Sequence, residues 1–244
     1  MTDKRLARLL LSACLVCASL GLLALPGSAA AKKKGAQKKG AQKTAQFTQC
    51  VSTTVPIPDG PPVGSTATNP AASFAIFINT PKFKGRHQSG TVTAFNSAGV
   101  RITHSDDGDL ALFLVSPGGR AIALSTFRDQ STNDNPDPPP DHLPSGDGYG
   151  KGSSNCSGSL VQFGDSFPRS ITTPGNTGVN APIAGSFTPE QPLGTFVGGP
   201  ARGFWTLIVQ DIQGEDVGQI DAFSLSFDYS YKAKKKSKRK RKKR

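Results

Sequence analysis

The sequence is poor in the residues from which most catalytic and metal sites are built. Its 244 residues include three His, four Cys, one Trp and one Met, which leaves almost no ligands for a multi-residue zinc or haem site. It contains no Gly-x-Ser-x-Gly, no His-Glu-x-x-His and no P-loop motif. These absences argue against the common hydrolases, metalloproteases and P-loop enzymes, and we predict no catalytic residue.

Helical patterns are also missing. Hydrophobic residues are 36% of the chain, whereas Gly (27) and Pro (19) together supply 46 of the 244 residues. No segment between residues 50 and 231 repeats its apolar residues at helical spacing over a useful length. The composition therefore indicates a turn-rich, strand-forming chain rather than a helical bundle.

Acidic residues are absent from two basic segments near the ends of the chain. Residues 32–43 hold six lysines, and residues 232–244 hold eleven Lys or Arg residues. Residues 44–231 hold nine basic and sixteen acidic residues, a net charge of −7, although the whole chain carries +12. The chain is thus an acidic body with cationic tails, and any affinity for polyanions has to reside in the tails.

The N-terminal residues have the pattern of a secretory signal. Three basic residues precede an apolar run at 9–25, and Pro-Gly-Ser-Ala-Ala-Ala follows at 26–31. A basic start, an apolar centre and small residues at the exit predict a signal peptide over residues 1–31 and a secreted, extracellular protein. The alternative is an uncleaved anchor, but about 17 apolar residues are at the lower limit for a membrane span.

Cleavage of this leader would leave two cysteines, Cys50 and Cys156. Outside the cell two cysteines most simply form one disulfide bond, and two free thiols are the alternative. The bond would close a loop of about a hundred residues and restrict the unfolded chain, which stabilises the fold by about 4–5 kcal/mol.

The body, residues 50–231, alternates short apolar runs with Gly, Pro, Asn and Asp. In the last run Phe, Leu, Phe, Tyr and Tyr occupy every second position from 223 to 231, which indicates a strand with one buried face. We predict an all-β sandwich of two sheets. The predicted strands are residues 73–78, 91–95, 99–103, 110–115, 121–125, 160–163, 204–211 and 219–231.

Two stretches lack any strand pattern. Residues 32–49 repeat Lys-Lys-Gly-Ala-Gln twice, and we predict a disordered spacer, because like charges with few apolar groups cannot bury a core. Residues 129–156 spread five Asp residues among Asn, Ser, Gly and Pro. They predict a long loop, and loops of this length are usually functional or disordered.

Several segments of the body carry motifs in a fixed order. They read VPIPDG at 55–60, VRITHSDDGDL at 100–110, LVSPGG at 114–119, FTPEQPL at 187–193 and GFWTLIVQD at 203–211. Together they resemble the P domain, also called the Homo B domain. This domain accompanies the catalytic domain of kexin- and furin-like proprotein convertases and of bacterial secreted subtilisin-type proteases.

The resemblance implies a jelly-roll β-sandwich of about eight strands and an accessory role in proteolysis, either stabilising a protease or contacting its substrates. It does not imply protease activity in this chain, because only about 20 residues separate the leader from the body, too few for a catalytic domain. A serine hydrolase built on His104 and the acidic residues near it is an alternative from another class.

Acidic residues at two turns predict a calcium site. Asp106, Asp107 and Asp109 lie at one turn, and Asp216 lies at another. Calcium takes six to eight hard oxygen ligands, carboxylates among them. The alternative is that these residues cap turns through their side chains, and carboxylate spacing alone does not separate the two possibilities.

The basic C-terminal tail, residues 232–244, predicts binding to polyanions. In an exported protein the partners would be anionic polymers or lipids of the cell envelope rather than nucleic acid. A disordered, solvated charge run without any partner is the alternative. The predicted polyanion-binding residues are Lys234, Lys235, Lys236, Lys238, Arg239, Lys240, Arg241, Lys242, Lys243 and Arg244.

Beside the serine hydrolase alternative, the sequence leaves two non-catalytic functions open. The first is a secreted, non-catalytic P-like module, residues 50–231, whose partner is a protease or another protein. The second is an envelope-bound structural protein that is attached through its tails.

Overall fold

Strands form nearly all of the regular structure in the described part of the chain. The computed structural model describes residues 42–62, 65, 67, 70–78, 90–126, 148–172, 183–212, 214 and 216–232. A short 3₁₀ helix, Leu193–Phe196, precedes β8, and no described helix is long and apolar enough to span a membrane. The strands are β1 Gln42–Ile57, β2 Ala71–Ile78, β3 Thr91–His104, β4 Leu110–Val115, β5 Ala121–Ser125, β6 Val161–Phe163, β7 Ser186–Phe187, β8 Gly203–Asp211 and β9 Gly218–Lys232.

Two sheets face each other around the core. The first contains β1, β9, β3, β6 and β7 in that order, and the second contains β2, β8, β4 and β5. Without β7, a two-residue parallel addition to β6, this is the strand order of an eight-stranded jelly roll. The predicted all-β sandwich is confirmed, with nine strands in the described residues where about eight were expected.

Alternation along β8 and β9 builds the core between the sheets. Every second residue of β8 is buried, including Trp205, and every second residue of β9 from position 223 to 229 is buried as predicted. The indole ring of Trp205 lies within 5.4 Å of the rings of Phe95, Phe196 and Phe227, measured between centroids. The single Trp of β8 therefore contacts both β3 and β9 of the facing sheet.

The fourth strand is less covered than its sequence predicts. All residues of β4 are apolar, which is typical of a strand buried on both sides. Its leucines are fully buried, but Phe113 and Val115 remain partly exposed, so the expectation of burial on both sides is wrong. The outer face of the four-stranded sheet consequently presents apolar side chains.

The first strand begins inside the segment predicted to be a disordered spacer. β1 starts at Gln42 and pairs with β9, so the prediction of disorder is wrong for residues 42–49. The prediction failed because alternate side chains of β1 are polar and exposed, as they would also be in a disordered spacer. Phe47 supplies the apolar contact, since its ring stacks on that of Phe227 with centroids 5.2 Å apart. Residues 1–41, including the predicted signal peptide, lie outside the described part.

The third strand joins two segments that the sequence predicts as separate strands. Residues 91–95 and 99–103 belong to one strand, Thr91–His104, that pairs with β9 along its length. The pairing with β9 shifts its register at several points, one of them between Phe95 and Ser97. At such a β-bulge an extra residue is left unpaired, which accounts for the interrupted alternation of apolar and polar residues.

The predicted disulfide bond between Cys50 and Cys156 is confirmed. It joins β1 to residues 148–156, the described end of the long loop, whose residues 129–147 lie outside the described part. This segment leaves the edge of β3 at Tyr149, which forms a bridge with Ile102. Because β9 lies between β3 and β1 and the core fills its inner face, the segment crosses the outer face of β9 to reach the disulfide.

The pairing of β1 can be tested at its aromatic contact. Phe47→Ala should lower the free energy of unfolding by about 2 kcal/mol, less than for a fully buried Phe because the ring is only half-buried. Gln46→Ala is the matched control, because Gln46 is exposed on the same strand, and should change stability by less than about 0.5 kcal/mol. Urea unfolding measures both, and equal stabilities would contradict the placement of residues 42–49 in the sandwich.

Candidate functional site

A tight turn between β3 and β4 carries three of the predicted calcium ligands. It spans residues 105–109, and the carboxylate of Asp106 accepts a hydrogen bond from the amide of Gly108 at 2.8 Å. Asp side chains commonly close turns in this way, so turn capping is one role of Asp106. The carbonyl oxygen of Asp109 accepts a hydrogen bond from the amide of Ile212 at 3.0 Å, which joins the turn to the end of β8.

The connection from β8 to β9 brings a further carboxylate to this turn. The amide of Val217 donates to Ser105 Oγ at 3.2 Å and holds the start of β9 beside the turn. Carboxylate oxygens of Asp106, Asp109 and Asp216 then lie within 4.8 Å of one another. At that separation two ionised carboxylates repel by roughly 3 kcal/mol at an effective dielectric constant of about 20.

Asp107, the remaining predicted ligand on this turn, does not belong to the cluster. Its side chain is fully buried, and neither carboxylate oxygen has a hydrogen-bond partner. Burial, reinforced by the charge of Asp106, raises the pKa of Asp107 to about 8, while His104 and the nearby amides of Gly148 and Ile183 oppose the shift. A carboxyl group with this pKa is mostly protonated at neutral pH and is a poor ligand for a cation.

A buried ion pair lies beneath the turn. His104 Nε2 lies 3.2 Å from Asp211 Oδ2 at the end of β8, and His104 Nδ1 lies 2.5 Å from the carbonyl oxygen of Asp106. Burial lowers the pKa of His104, but these hydrogen bonds and the charges of Asp211 and Asp216 outweigh it and raise the pKa above its ordinary value. Asp211 was not among the residues predicted from the sequence, although an acid that ends a buried apolar strand needs a partner and was a usable signal.

A polar cleft of about 740 Å³ opens beside the same turn. Two cations, Arg101 on β3 and Lys151 on the segment after Tyr149, line it although the body of the chain is acidic. Sequence reasoning missed both, because an isolated Arg or Lys carries no pattern. The lining residues are Arg101, Thr103, His104, Ser105, Lys151, Gly152, Ser154 and Val217.

The outer face of the four-stranded sheet carries exposed aromatic rings. Phe77 on β2 and Phe204 on β8 are cross-strand partners with ring centroids 4.7 Å apart. They are 46% and 59% exposed, respectively. The register places Ile208 beside Phe113 on the same face, so apolar side chains continue across three strands. The sequence predicted the strands but did not indicate which aromatic residues face outward.

Other candidates from the sequence lie outside the described residues. The predicted polyanion-binding residues, within 234–244, are among them. Cys50 and Cys156 form the disulfide bond as predicted, and Cys156 lies on the segment that lines the cleft.

Comparison with known proteins finds little that is similar. No protein-family model matches the chain, and no curated protein matches it. Similar solved structures include the serine protease of Aeromonas sobria and the complex of that protease with the chaperone. Both are 16% identical, with TM-scores of 0.38 and 0.39, and the match covers 76% of this chain but only 27% of theirs. The likeness is slight, so function has to be inferred from the residues of this chain.

The buried carboxyl group gives a prediction about pH. Because the pKa of Asp107 is raised to about 8 in the folded chain, its stabilising contribution is complete below the unfolded pKa near 4 and is lost as pH rises through 8. Between these values the free energy of unfolding should fall by roughly 1.4 kcal/mol per pH unit through this group.

Asp107→Asn should remove this fall, because Asn does not titrate. Urea unfolding between pH 5 and pH 8.5, in buffers from which calcium has been removed beforehand, compares the slopes. Asp228→Asn is the control. Asp228 lies toward the end of β9, whereas the start of β9 adjoins the turn that carries Asp107, so this variant should keep the slope of the unmodified chain. An unchanged slope in Asp107→Asn would refute the assignment of a buried, neutral carboxyl.

Proposed function

We propose that the chain is an exported, non-catalytic binding module that acts beside a serine-type endopeptidase of the subtilisin or kexin class. The resemblance of its motifs to the P domain supports this, because the motif segments pack against one another. His104 of one segment pairs with Asp211 of another, and the ring of Phe196, just after a third, lies 5.1 Å from that of Trp205. Residues that are distant in sequence thus form one unit.

The main structural support for this proposal is the exposed aromatic face that contains Phe77 and Phe204. Soluble proteins rarely leave neighbouring aromatic rings such as Phe77 and Phe204 in water, and apolar patches of this kind mark contacts with other proteins. Small-molecule sites are concave, whereas this is the open outer face of a sheet. We infer that the protease docks on this face.

The surroundings of His104 argue against catalysis by this chain. Its ring is buried, and both nitrogens are occupied, one by Asp211 and the other by the carbonyl group of Asp106. A general base has to reach a proton of its substrate with a free nitrogen. Within the described residues no serine hydroxyl bonds to the ring.

Export is supported by two independent features. The leader has the pattern of a signal peptide, and the chain forms a disulfide bond between Cys50 and Cys156. Disulfide bonds persist in oxidising compartments, which is where secreted proteases also act.

We further propose that calcium binds at the cluster of Asp106, Asp109 and Asp216. The donor set fits, because all three ligands are hard carboxylate oxygens that lie close together. Bound calcium would supply the positive charge that offsets their repulsion. It would also fasten the turn after β3 to the start of β9.

The docking surface predicts a partner. The mature chain, immobilised and exposed to supernatant of the producing cells, should retain a protein that a fluorophosphonate probe labels as a serine hydrolase. Phe77→Ser/Phe204→Ser should lose it, because the substitution makes the apolar face polar.

Val197→Ser is the matched control, because Val197 is 47% exposed, like Phe77, but belongs neither to the four-stranded sheet nor to the lining of the cleft. Removing residues 233–244 tests the alternative role of the tail. Retention that survives the double substitution, or that requires the tail, would refute the proposed docking face. Labelling of the pure chain itself would refute the absence of catalysis.

The calcium site predicts a measurable gain in stability. Calcium at a hundredfold excess over its Kd should raise the free energy of unfolding by about 2.7 kcal/mol, since it binds only the folded chain. Asp216→Asn should weaken binding roughly tenfold by removing one ligand charge, whereas Asp228→Asn at the far end of β9 should not. Calorimetric titration measures both, and an absence of binding to the unmodified chain would refute the site.

A further inference from the structure

Arg101 is a nearly buried cation without an acidic partner in the described structure. Its side chain is only 7% exposed. Arg101 takes no part in the ion pair found within the described residues, which joins His104 to Asp211. Burying a charge is costly when no opposite charge accompanies it. An Arg in this position points to an anion that another molecule supplies.

The hydrogen bonds of Arg101 show which edge of the guanidinium is unsatisfied. Nη1 donates to the carbonyl oxygens of Ile102 at 2.8 Å and of Tyr149 at 3.2 Å, which uses both of its hydrogens. Nη2 reaches only Gly152 O at 3.4 Å, and Nε is shielded from water without any partner. Because Nε has no surface that a ligand could contact, Nη2 is the nitrogen of Arg101 that can donate to an incoming carboxylate.

The cleft around this edge adds further donors. Lys151 and Ser154 are exposed, and their side chains form no hydrogen bond or ion pair within the described residues. Thr103 already donates to Asp221 at 2.7 Å, and Ser105 is bonded to Val217. Lys151 and Ser154 are therefore available to a ligand, whereas Thr103 and Ser105 shape the wall.

The wall that carries Lys151 is held in place from both sides. Lys151 and Ser159 exchange two backbone hydrogen bonds of 2.8 Å each. Cys156 is bonded to Cys50, and its amide donates to Ser52 Oγ at 3.0 Å. The cleft is thus preorganised, which reduces the entropy that a ligand would lose on binding.

We propose that this cleft binds a carboxylate side chain of an acidic peptide segment from a partner protein, held by Lys151 and by Nη2 of Arg101. The net charge of −7 on residues 44–231 repels an extended polyanion such as nucleic acid more strongly than a short segment that places one carboxylate in the cleft. A volume of about 740 Å³ exceeds the size of one carboxylate and leaves room for neighbouring residues. The cleft lies on the other sheet from Phe77 and Phe204 and does not depend on the proposed docking of a protease.

The test is a titration followed by ¹⁵N–¹H NMR at low salt in EGTA. The probe is the peptide Gly-Glu-Gly, acetylated and amidated so that the side chain carries its only charge. The matched control peptide is Gly-Gln-Gly. The glutamate peptide should shift the Arg101 Nε–Hε signal and the amides of residues 151–154, and added salt should weaken the effect. The glutamine peptide should shift neither.

Charge reversal in the cleft supplies the matched variants. Lys151→Glu should weaken binding about fivefold, because it replaces an attraction by a repulsion at an exposed position. Lys232→Glu, at the opposite end of β9, changes the net charge equally and should leave binding unchanged. Thermal melting checks that both variants are folded.

Four outcomes would overturn the proposal. An unmoved Arg101 Nε–Hε signal at millimolar peptide, or equal responses to the Glu and Gln peptides, would exclude a carboxylate site. Tighter binding of inorganic phosphate than of the glutamate peptide would assign the cleft to another anion. Equal affinity for acetate would exclude a peptide as the specific occupant.

Discussion

The pairing of β9 with β1 on one side and with β3 on the other is the constraint on which the whole sandwich depends. This strand is long, and the alternation of apolar and polar residues from Phe223 to Tyr231 fixes which side of the sheet faces the core. A slip by one residue would expose Phe227, on which the rings of Phe47, Phe95 and Trp205 pack. The same register sets where the strand begins, and hence where Asp216 meets the turn after β3.

Buried charge is concentrated at that end of the sandwich. In the described structure every buried Arg, His or Asp side chain lies near the end of β3, the end of β8 or the start of β9. Such burial is tolerated where an opposite charge or a full set of hydrogen bonds accompanies it, as for His104 and Asp211. No such partner reaches the Nε of Arg101, and Asp107 also lacks a hydrogen-bond partner but is mostly neutral. The buried Arg, His and Asp residues are Arg101, His104, Asp107, Asp109, Asp211 and Asp221.

Most of the fold was predictable because alternation is a local signal. The bounds of β4 and β5 match the prediction, and those of β8 and β9 differ by one residue at their ends. The start of β1 was not predictable, because its exposed polar residues look like spacer and only its pairing with β9 makes it a strand. Within the candidate site, the spacing of the acids predicted the turn. It could not show that Asp106 and Asp109 meet Asp216 while Asp107 is buried, since that depends on contacts across the chain.

The two proposed surfaces differ in the physics by which they would recognise a partner. The face around Phe77 and Phe204 offers non-directional apolar contact, which suits a broad protein surface. The cleft offers charge and fixed hydrogen-bond geometry, which select a particular group. The cleft also shares its wall with the acidic cluster, because the bond between Ser105 and Val217 borders both. A cation that fastens this turn would therefore also order the cleft, and by linkage an anion in the cleft would favour binding of the cation.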